Sequence, residues 1–591
     1  MLIGGRYDTK KTPRFTFFDI FKATRAAWPT ERPFANNNPD YPSKVFLDNN
    51  PVAMSDPDIV GYSQTNNKAL QTTASVKYDV PFVQGLQIKA TGAYDSNMYM
   101  GKNAHRSYDV FTYASETDTY LKQTIGAPAY INNSYDDHNK LVLQAQVSYQ
   151  RLFNKRHNVG VTLVYEQSKY WYRNSSLHRD YDFYTNDQVD QGSVNNMKNG
   201  GYETEEASMS YIGRFTYDYM SRYLVEFAFR EDGSYRYAPG ARWGFFPVVS
   251  VGYRISEEKF IKDNLTFIDN LKLRASYGIV GRADFGVNLY KYYMGSGNSY
   301  YFKDTPASQS GMTEKQIAVD GLTYEKSHKL NVGMDFMVWK KLSLTIDGYY
   351  DHRTDILVDG GNAISSVFGM TVPKRNDGVV NNYGVELMAG WNDRIGEFSY
   401  QINGQFSFNR SKIINMNEEY RPYDYLERTG CRVGQIFGYE VEGIYKNQEE
   451  INQREVKQYL SEVRPGDLKL KDQNGDKRID QYDQVAMGYN ATCPEIYYGF
   501  NLGAEYKGLG VLAQFQGVAN YSQVLDTRSV YRPLINNNTI SRYYWENRWS
   551  ENNPNGTLPR LTTLGSANNY NNNSLWVTDA SFLKLRTLEV Y

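Results

Sequence analysis

The chain has 591 residues, 65 Lys and Arg against 66 Asp and Glu, and a net charge of −1. That balance excludes the basic excess of a nucleic-acid binder, and no run approaches 18 consecutive apolar residues, so a transmembrane helix is excluded too. Mean hydropathy of −0.64 fits either a large soluble all-β protein or a transmembrane β-barrel, whose lumen face and long loops are polar.

The N-terminal MLIGGRYDTKK has its charged and apolar residues in the wrong order for a signal peptide, and no cleavage site follows. Period-two alternation then predicts strands at Leu141 to Tyr149, Val159 to Tyr165, Tyr223 to Phe229, Leu330 to Phe336, Leu342 to Asp347, Val385 to Trp391 and Phe500 to Tyr506. Successive side chains of a strand point to opposite faces, which is why a period of two reads as β. The clearest case is 398–409, where every even position is apolar, aromatic or Gly and every odd one polar. There Phe398, Tyr400, Ile402, Phe406 and Phe408 are predicted to face lipid, and Gln401, Asn403, Gln405 and Ser407 the lumen. About sixteen such segments occur, most near ten residues, the length that crosses a bilayer when tilted. Helical periodicity is confined to Ser256 to Asp263.

The connections sort by length. Tight ones join Tyr78 to Leu86, Gln150 to Asn158, Asp218 to Tyr223, Trp339 to Leu342, Trp391 to Glu397 and Tyr506 to Leu509. Long polar stretches lie between them, at 96–137, 172–203, 279–323, 356–377, 411–493 and 521–575. Short turns at one end and long loops at the other are the pattern of an outer-membrane barrel. The 53 tyrosines fit as girdle residues, with Tyr78, Tyr94, Tyr165, Tyr217, Tyr349, Tyr350 and Tyr506 flanking strands. The predicted fold is therefore all-β, a large antiparallel transmembrane β-barrel with long extracellular loops.

Several segments, in order, resemble the SusC/RagA-type TonB-dependent transporters of Bacteroidetes outer membranes. They are Arg230-Glu231-Asp232-Gly233-Ser234, Arg242-Trp243-Gly244-Phe245-Phe246-Pro247, Val251 to Glu258, Leu271 to Gly278, Pro465-Gly466-Asp467-Leu468-Lys469, Lys471 to Asp476 and Trp576 to Arg586. The resemblance implies a 22-stranded barrel that follows a signal peptide, a TonB box and a plug domain. On that pattern residues 1–591 read as a barrel fragment lacking the plug, the first strands and the last strands. It implies import of oligosaccharides (or, in similar relatives, peptides) with a SusD-like surface lipoprotein, energised by TonB-ExbB-ExbD through a plug and TonB box that this chain does not contain. A passive porin-like channel and a surface adhesin are the rival readings.

Catalytic constellations are absent from the sequence: the six histidines fall at no metal-ligand spacing, and there is no HExxH, GxSxG or P-loop pattern. An enzymatic role is therefore not expected. Cys431 and Cys493 are too far apart for a CxxC motif and read as free thiols or as one disulfide. The sharpest local signal lies inside the 411–493 loop region, at Asp472-Gln473-Asn474-Gly475-Asp476-Lys477-Arg478-Ile479-Asp480-Gln481-Tyr482-Asp483. Asp472, Asn474, Asp476, Asp480 and Asp483 place oxygens at positions 1, 3, 5, 9 and 12 of a Ca²⁺ loop, with Arg478 giving only its main-chain carbonyl. Lys477 replaces the turn Gly, and Asp483 the bidentate Glu. A solvated Asx-rich turn is the alternative. Calcium here would pin a loop expected to have little apolar surface of its own. Loop runs such as Asn298 to Phe302 and Asn568 to Asn573 combine rings and amides that suit a glycan, or stand as solvated loop.

Overall fold

The computed structural model describes residues 1–28, 30–45, 50–283, 289–302, 307–316, 318–319, 321–360, 374–526, 531–535 and 538–591. Sixteen strands form one antiparallel sheet in strict chain order. They are β1 (Leu2–Pro13), β2 (Gly61–Asp79), β3 (Leu86–His105), β4 (Ala129–Phe153), β5 (His157–Tyr181), β6 (Lys198–Tyr219), β7 (Tyr223–Ser234) and β8 (Trp243–Arg254). The second half comprises β9 (Ile268–Arg282), β10 (Glu325–Val338), β11 (Leu342–Val358), β12 (Arg375–Ile395), β13 (Phe398–Asn415), β14 (Ile496–Tyr506), β15 (Leu509–Ala519) and β16 (Phe582–Val590). Among the described residues, β1 and β16 each have one neighbour in this sheet.

Two features differ from the sequence reading. Many strands run well past the ten residues of a bilayer crossing, with β4 and β5 each 25 residues long. Residues 96–105 and 129–137 therefore belong to strands rather than to a loop, as do 172–181 and 198–203. Their polar side chains hid them, because the main-chain ladder continues past the alternating stretch without an apolar face to mark it. The N-terminal eleven residues, set aside as a non-signal, form most of β1. The helix expected at Ser256 to Asp263 is present as a short 3₁₀ turn and Lys259–Asn264. An unforeseen helix, Phe17–Ala26, starts from a capping box in which Thr16 and Asp19 satisfy each other's main-chain N–H.

The sorting of connections holds. One end of the sheet has tight turns, and four of them are alike: Asn154 with Lys155, Met220 with Ser221, Trp339 with Lys340, and Lys507 with Gly508 all have both central φ values between 48° and 84°. Such type I′ turns match the right-handed twist of the flanking strands. Rings gather at this end. Tyr223 stacks on Tyr253 at 5.1 Å, Phe267 on Trp339 at 6.1 Å, and Phe398 on Tyr400 at 5.8 Å. Stretches 284–288, 303–306, 361–373, 527–530 and 536–537 of the long connections lie outside the described residues.

Register assigns the faces. Across neighbouring strands one row reads Leu273, Met334, Ile346, Leu387, Phe406, Tyr498. The next row reads Arg274, Gly333, Asp347, Glu386, Ser407, Tyr497. The polar row's face continues without a register shift from Arg274 through Gly252, Glu226, Glu166, Lys140 and Asp95 to Asn67 and Asp8. Tyr349 falls on this polar face, opposite Asn331, whereas its neighbour Tyr350 points to the apolar one. Ile402 stands opposite Trp391 and Leu502, and Asn403 opposite Gly390 and Asn501. The faces of β13 are thus those the alternation predicts. Arg in place of Ile402 should cost roughly 2–4 kcal/mol of membrane stability, and Arg in place of Asn403 little. Urea unfolding of the two variants in lipid vesicles checks this, and a larger loss for Asn403→Arg would mean the faces are exchanged.

Candidate functional site

The connections after β13 and β15 fold together at the end opposite the tight turns. Tyr439, Leu468, Leu470 and Ile479 form one apolar core. Ile535, Tyr544, Leu558, Tyr570 and Trp576 form a second, and Leu575 packs against both. Short ribbons order the first connection, with Ile436–Tyr439 paired to Gln484–Met487 and Val441–Ile444 to Leu468–Leu470. The 411–493 region therefore carries its own apolar core, contrary to the expectation of a loop with little to hold it. The apolar positions are spread over distant short segments, so no periodicity announced them.

A buried charge fastens the two connections. Asp467 is fully buried. Arg560 Nε lies 2.8 Å from its Oδ1. Asn569 Nδ2 donates to the same oxygen at 2.9 Å, and the Arg464 main-chain N–H donates to Oδ2 at 2.9 Å. In return Asn569 Oδ1 accepts from the Leu468 N–H at 2.8 Å. Gly466, with φ of 88°, lets the chain approach Trp549, where a Cβ would lie 2.3 Å from the ring. Asn568, Asn569 and Asn573 are all fully buried, and their Nδ2 groups are spent within the module, Asn568 on Ser461 O at 2.9 Å, Asn569 on Asp467 and Asn573 on Asn571 O at 3.0 Å. These amides of the 568–573 run are structural and not turned toward a ligand. Of the 298–302 run, the side chains of Asn298, Ser299, Tyr301 and Phe302 lie outside the described residues.

A second clamp, which the sequence did not disclose, ties this unit to the sheet. Glu495, 4% exposed, accepts from Arg410 Nε at 3.0 Å and Nη2 at 2.7 Å, from Arg432, and from Asn520 Nδ2 at 3.2 Å. It thereby joins β13, the entry to the connection, and the ends of β14 and β15. Cys431 and Cys493 flank this point as free thiols, and burial pushes the Cys431 thiol up.

The six residues of the candidate calcium loop run through a turn at 472–477, a two-residue strand at Arg478–Ile479 and a 3₁₀ turn at Gln481–Asp483. Asp472 accepts from the main-chain N–H groups of Gly475 and Lys477, both at 2.8 Å. Asn474 accepts from Asp476 N–H at 3.0 Å, Asp476 from Arg478 N–H at 2.8 Å, and Asp480 from Tyr482 N–H at 2.9 Å. Asp483 is fully buried and accepts from the N–H groups of Gln473 and Asp480 at 2.9 and 2.8 Å. Burial, with Asp472 and Asp480 close by, pushes its carboxyl up. Arg478 opens a two-residue strand beside Lys457–Gln458. The oxygens thus face main-chain donors, and among the described residues no three His, Cys, Asp or Glu groups gather at metal-binding spacing. Next to the turn, Tyr423 and Tyr425 stack at 5.4 Å; burial, with Asp483, Asp472 and Asp476 nearby, pushes Tyr425 up to about 12.

Residues 6–436 match the family model described as TonB dependent receptor-like, beta-barrel. The chain belongs to that family. It is 25% identical over 612 residues to TonB-dependent receptor P39 of Formosa agariphila, covering 93% of this chain and 54% of that protein. It is also 26% identical over 417 residues to TonB-dependent receptor SusC of Bacteroides thetaiotaomicron, covering 67% and 39%. Among solved structures, the RagAB peptide transporter superposes with a TM-score of 0.70 at 19% identity, over 90% of this chain and 55% of that one. The chain spans about half the length of these matches. Its strands lie in the bacterial outer membrane. Tight turns then mark the periplasmic end, and the paired connections form a module on the extracellular side.

Removing one partner of a buried ion pair leaves the other uncompensated, at about 3–5 kcal/mol. Asp467→Ala should therefore release the extracellular module while the sheet persists. Limited proteolysis checks it: new cleavage is expected between 440 and 480 and between 531 and 575, with the strands intact.

Proposed function

We propose that the protein of which this chain forms the wall imports oligosaccharides across the outer membrane, drawing energy from TonB and receiving cargo from a SusD-like surface lipoprotein seated on the extracellular module. The observation that carries the glycan reading is the distribution of rings on that module. Tyr420, Tyr459, Tyr543 and Trp545 are 91%, 60%, 59% and 53% exposed, although the module has two apolar cores in which rings could be buried. A flat ring in water suits a sugar face, and among the described residues Tyr420 and Tyr543 carry no cation over theirs, whereas Arg478 lies over Tyr459 at 4.6 Å and Arg548 over Trp545 at 3.4 Å. A face-on aromatic contact is worth roughly 0.5–1.5 kcal/mol, so each ring should contribute about fivefold in affinity. Titration of the full-length transporter with a neutral glucan should show Tyr420→Ala with Tyr543→Ala weakening binding by an order of magnitude or more, and unchanged affinity would sink the glycan reading. The similarity to the RagAB peptide transporter supports peptides as the second reading, and a mixed-peptide titration is its test.

Calcium at the 472–483 turn is the smaller part of the proposal. Asp472, Asn474, Asp476, Asp480 and Asp483 would supply the side-chain oxygens and Arg478 its carbonyl, once the side chains turn from the main-chain N–H groups that now hold them. The side-chain oxygens at positions 1, 3, 5, 9 and 12 of the run support it. Extracellular sites of this type bind with Kd of about 10⁻⁴–10⁻³ M. Chelation should speed proteolysis between Val463 and Gln484 without unfolding the sheet, and identical digestion with millimolar Ca²⁺ and with chelator would leave the self-capped turn alone.

A further inference from the structure

On the face turned away from the lumen, the apolar rows of β9 to β12 end in a belt of rings. Tyr277, Leu330, Tyr350 and Tyr383 stand side by side on neighbouring strands, and tyrosines so placed mark the lipid–water boundary. Two residues further along each strand, toward the extracellular end, the row reads Ile279, His328, His352, Asn381, Lys412. The two imidazoles therefore stand at the water's edge, at the rim of the sheet.

His328 and His352 are direct cross-strand partners. Residues opposed in this way hold their Cβ atoms about 4.5–5.5 Å apart on one face, and the two ring centres are 6.2 Å apart, inclined at 47°. Metal–imidazole bonds of about 2.0–2.1 Å place two rings that share one ion at roughly 5–6 Å, so a small turn of either side chain closes the gap. The ring nitrogens are already set for it. His352 Nδ1 lies 2.7 Å from Asn381 Oδ1. An amide oxygen only accepts, so Nδ1 carries the proton and the neutral ring turns a lone pair outward at Nε2. His328 Nδ1 lies 3.0 Å from the Tyr277 hydroxyl, which accepts as readily as it donates and allows the same tautomer. Neither Nε2 has a hydrogen-bond partner among the described residues. A metal-ligating histidine is held in just this way, by a partner on its other nitrogen. The neighbouring cations leave the place open, since Lys326 is 3.2 Å from Asp355 and Lys412 is two strands away from His352.

We propose that His328 and His352 form a two-histidine site for a divalent transition-metal ion, which cross-links β10 and β11 at the outer rim. No third His, Cys, Asp or Glu joins them among the described residues, so water completes the coordination. Imidazole suits Cu²⁺, Ni²⁺ and Zn²⁺, and Cu²⁺ leads that series in affinity, which makes it the probe. The test titrates Cu²⁺ into the full-length transporter, purified through a tag that lacks histidine, by calorimetry and electron paramagnetic resonance. The unaltered protein should take up one ion more than the double variant His328→Gln with His352→Gln, and its spectrum should show coupling to two imidazole nitrogens that the double variant lacks. Either single variant should bind at least an order of magnitude more weakly. Asn381→Leu should weaken binding about tenfold while keeping the two-nitrogen signal, as befits a positioning residue. His157→Gln, a lone histidine bonded to Tyr217, should change nothing. A second readout needs no variant: Cu²⁺ should shield His328 and His352, but not His157, from diethylpyrocarbonate, adducts being mapped by mass spectrometry. Equal uptake by the unaltered protein and the double variant, coupling to a single nitrogen, or no shielding of the pair would overturn the site.

Discussion

A strand inside lipid has no water to satisfy its main chain, so every N–H and C=O must find a neighbouring strand. That constraint sets the regularity of the whole sheet. From β2 to β9 the pairing runs without a bulge, and the shifts that do occur sit near strand ends, at Ile268, beyond Arg353 and at Val379. Because side chains alternate strictly, a shift of one residue would exchange lipid and lumen faces over a whole strand. The separation of Ile402 from Asn403 and of Leu273 from Arg274 follows from that unbroken ladder. The exception is informative. Between β15 and β16 a shift at Gln514 and Phe515 leaves Arg586 without a partner of its own, and its guanidinium lies against Gln516.

How much was legible follows from the same physics. Within the bilayer the solvent differs on the two faces, so alternation is enforced and the sequence shows it, as in 398–409. Above the bilayer water bathes both sides, and the outer parts of β3 to β6 lose the pattern while keeping the ladder. Asp467 stood in a segment that marked the family, yet its partners Arg560 and Asn569 lie about a hundred residues away, and no local rule connects them. The same holds for Glu495 with Arg410 and Arg432. The 472–483 spacing says which oxygens lie near one another along the chain, but not whether an oxygen faces a cation or an N–H. The Asn-rich run at 568–573 misled for a related reason, since Asn serves equally well to cap buried main chain.

The two clamps divide labour. Asp467 makes one body of two long connections, and Glu495 seats that body on three adjacent strands. Both are carboxylates held by Arg in nearly dry surroundings, where a missing partner is costly and the geometry is correspondingly exact in its demands. The apolar cores alone would hold the segments together without fixing their orientation over the sheet.

The unequal strand lengths shape what a visitor meets from outside. β4 and β5 have 25 residues each, against 12 for β7 and β8 and 14 for β10. At about 3.3 Å per residue the difference along the strand is roughly 40 Å, and all of these strands share one level of tight turns. The outer rim of the sheet is therefore uneven, high along β4 and β5 and low at β7 and β8. A large molecule descending onto it would meet the high side first and be tipped toward the low one, so the direction of approach is written into the height of the wall before any side chain is touched.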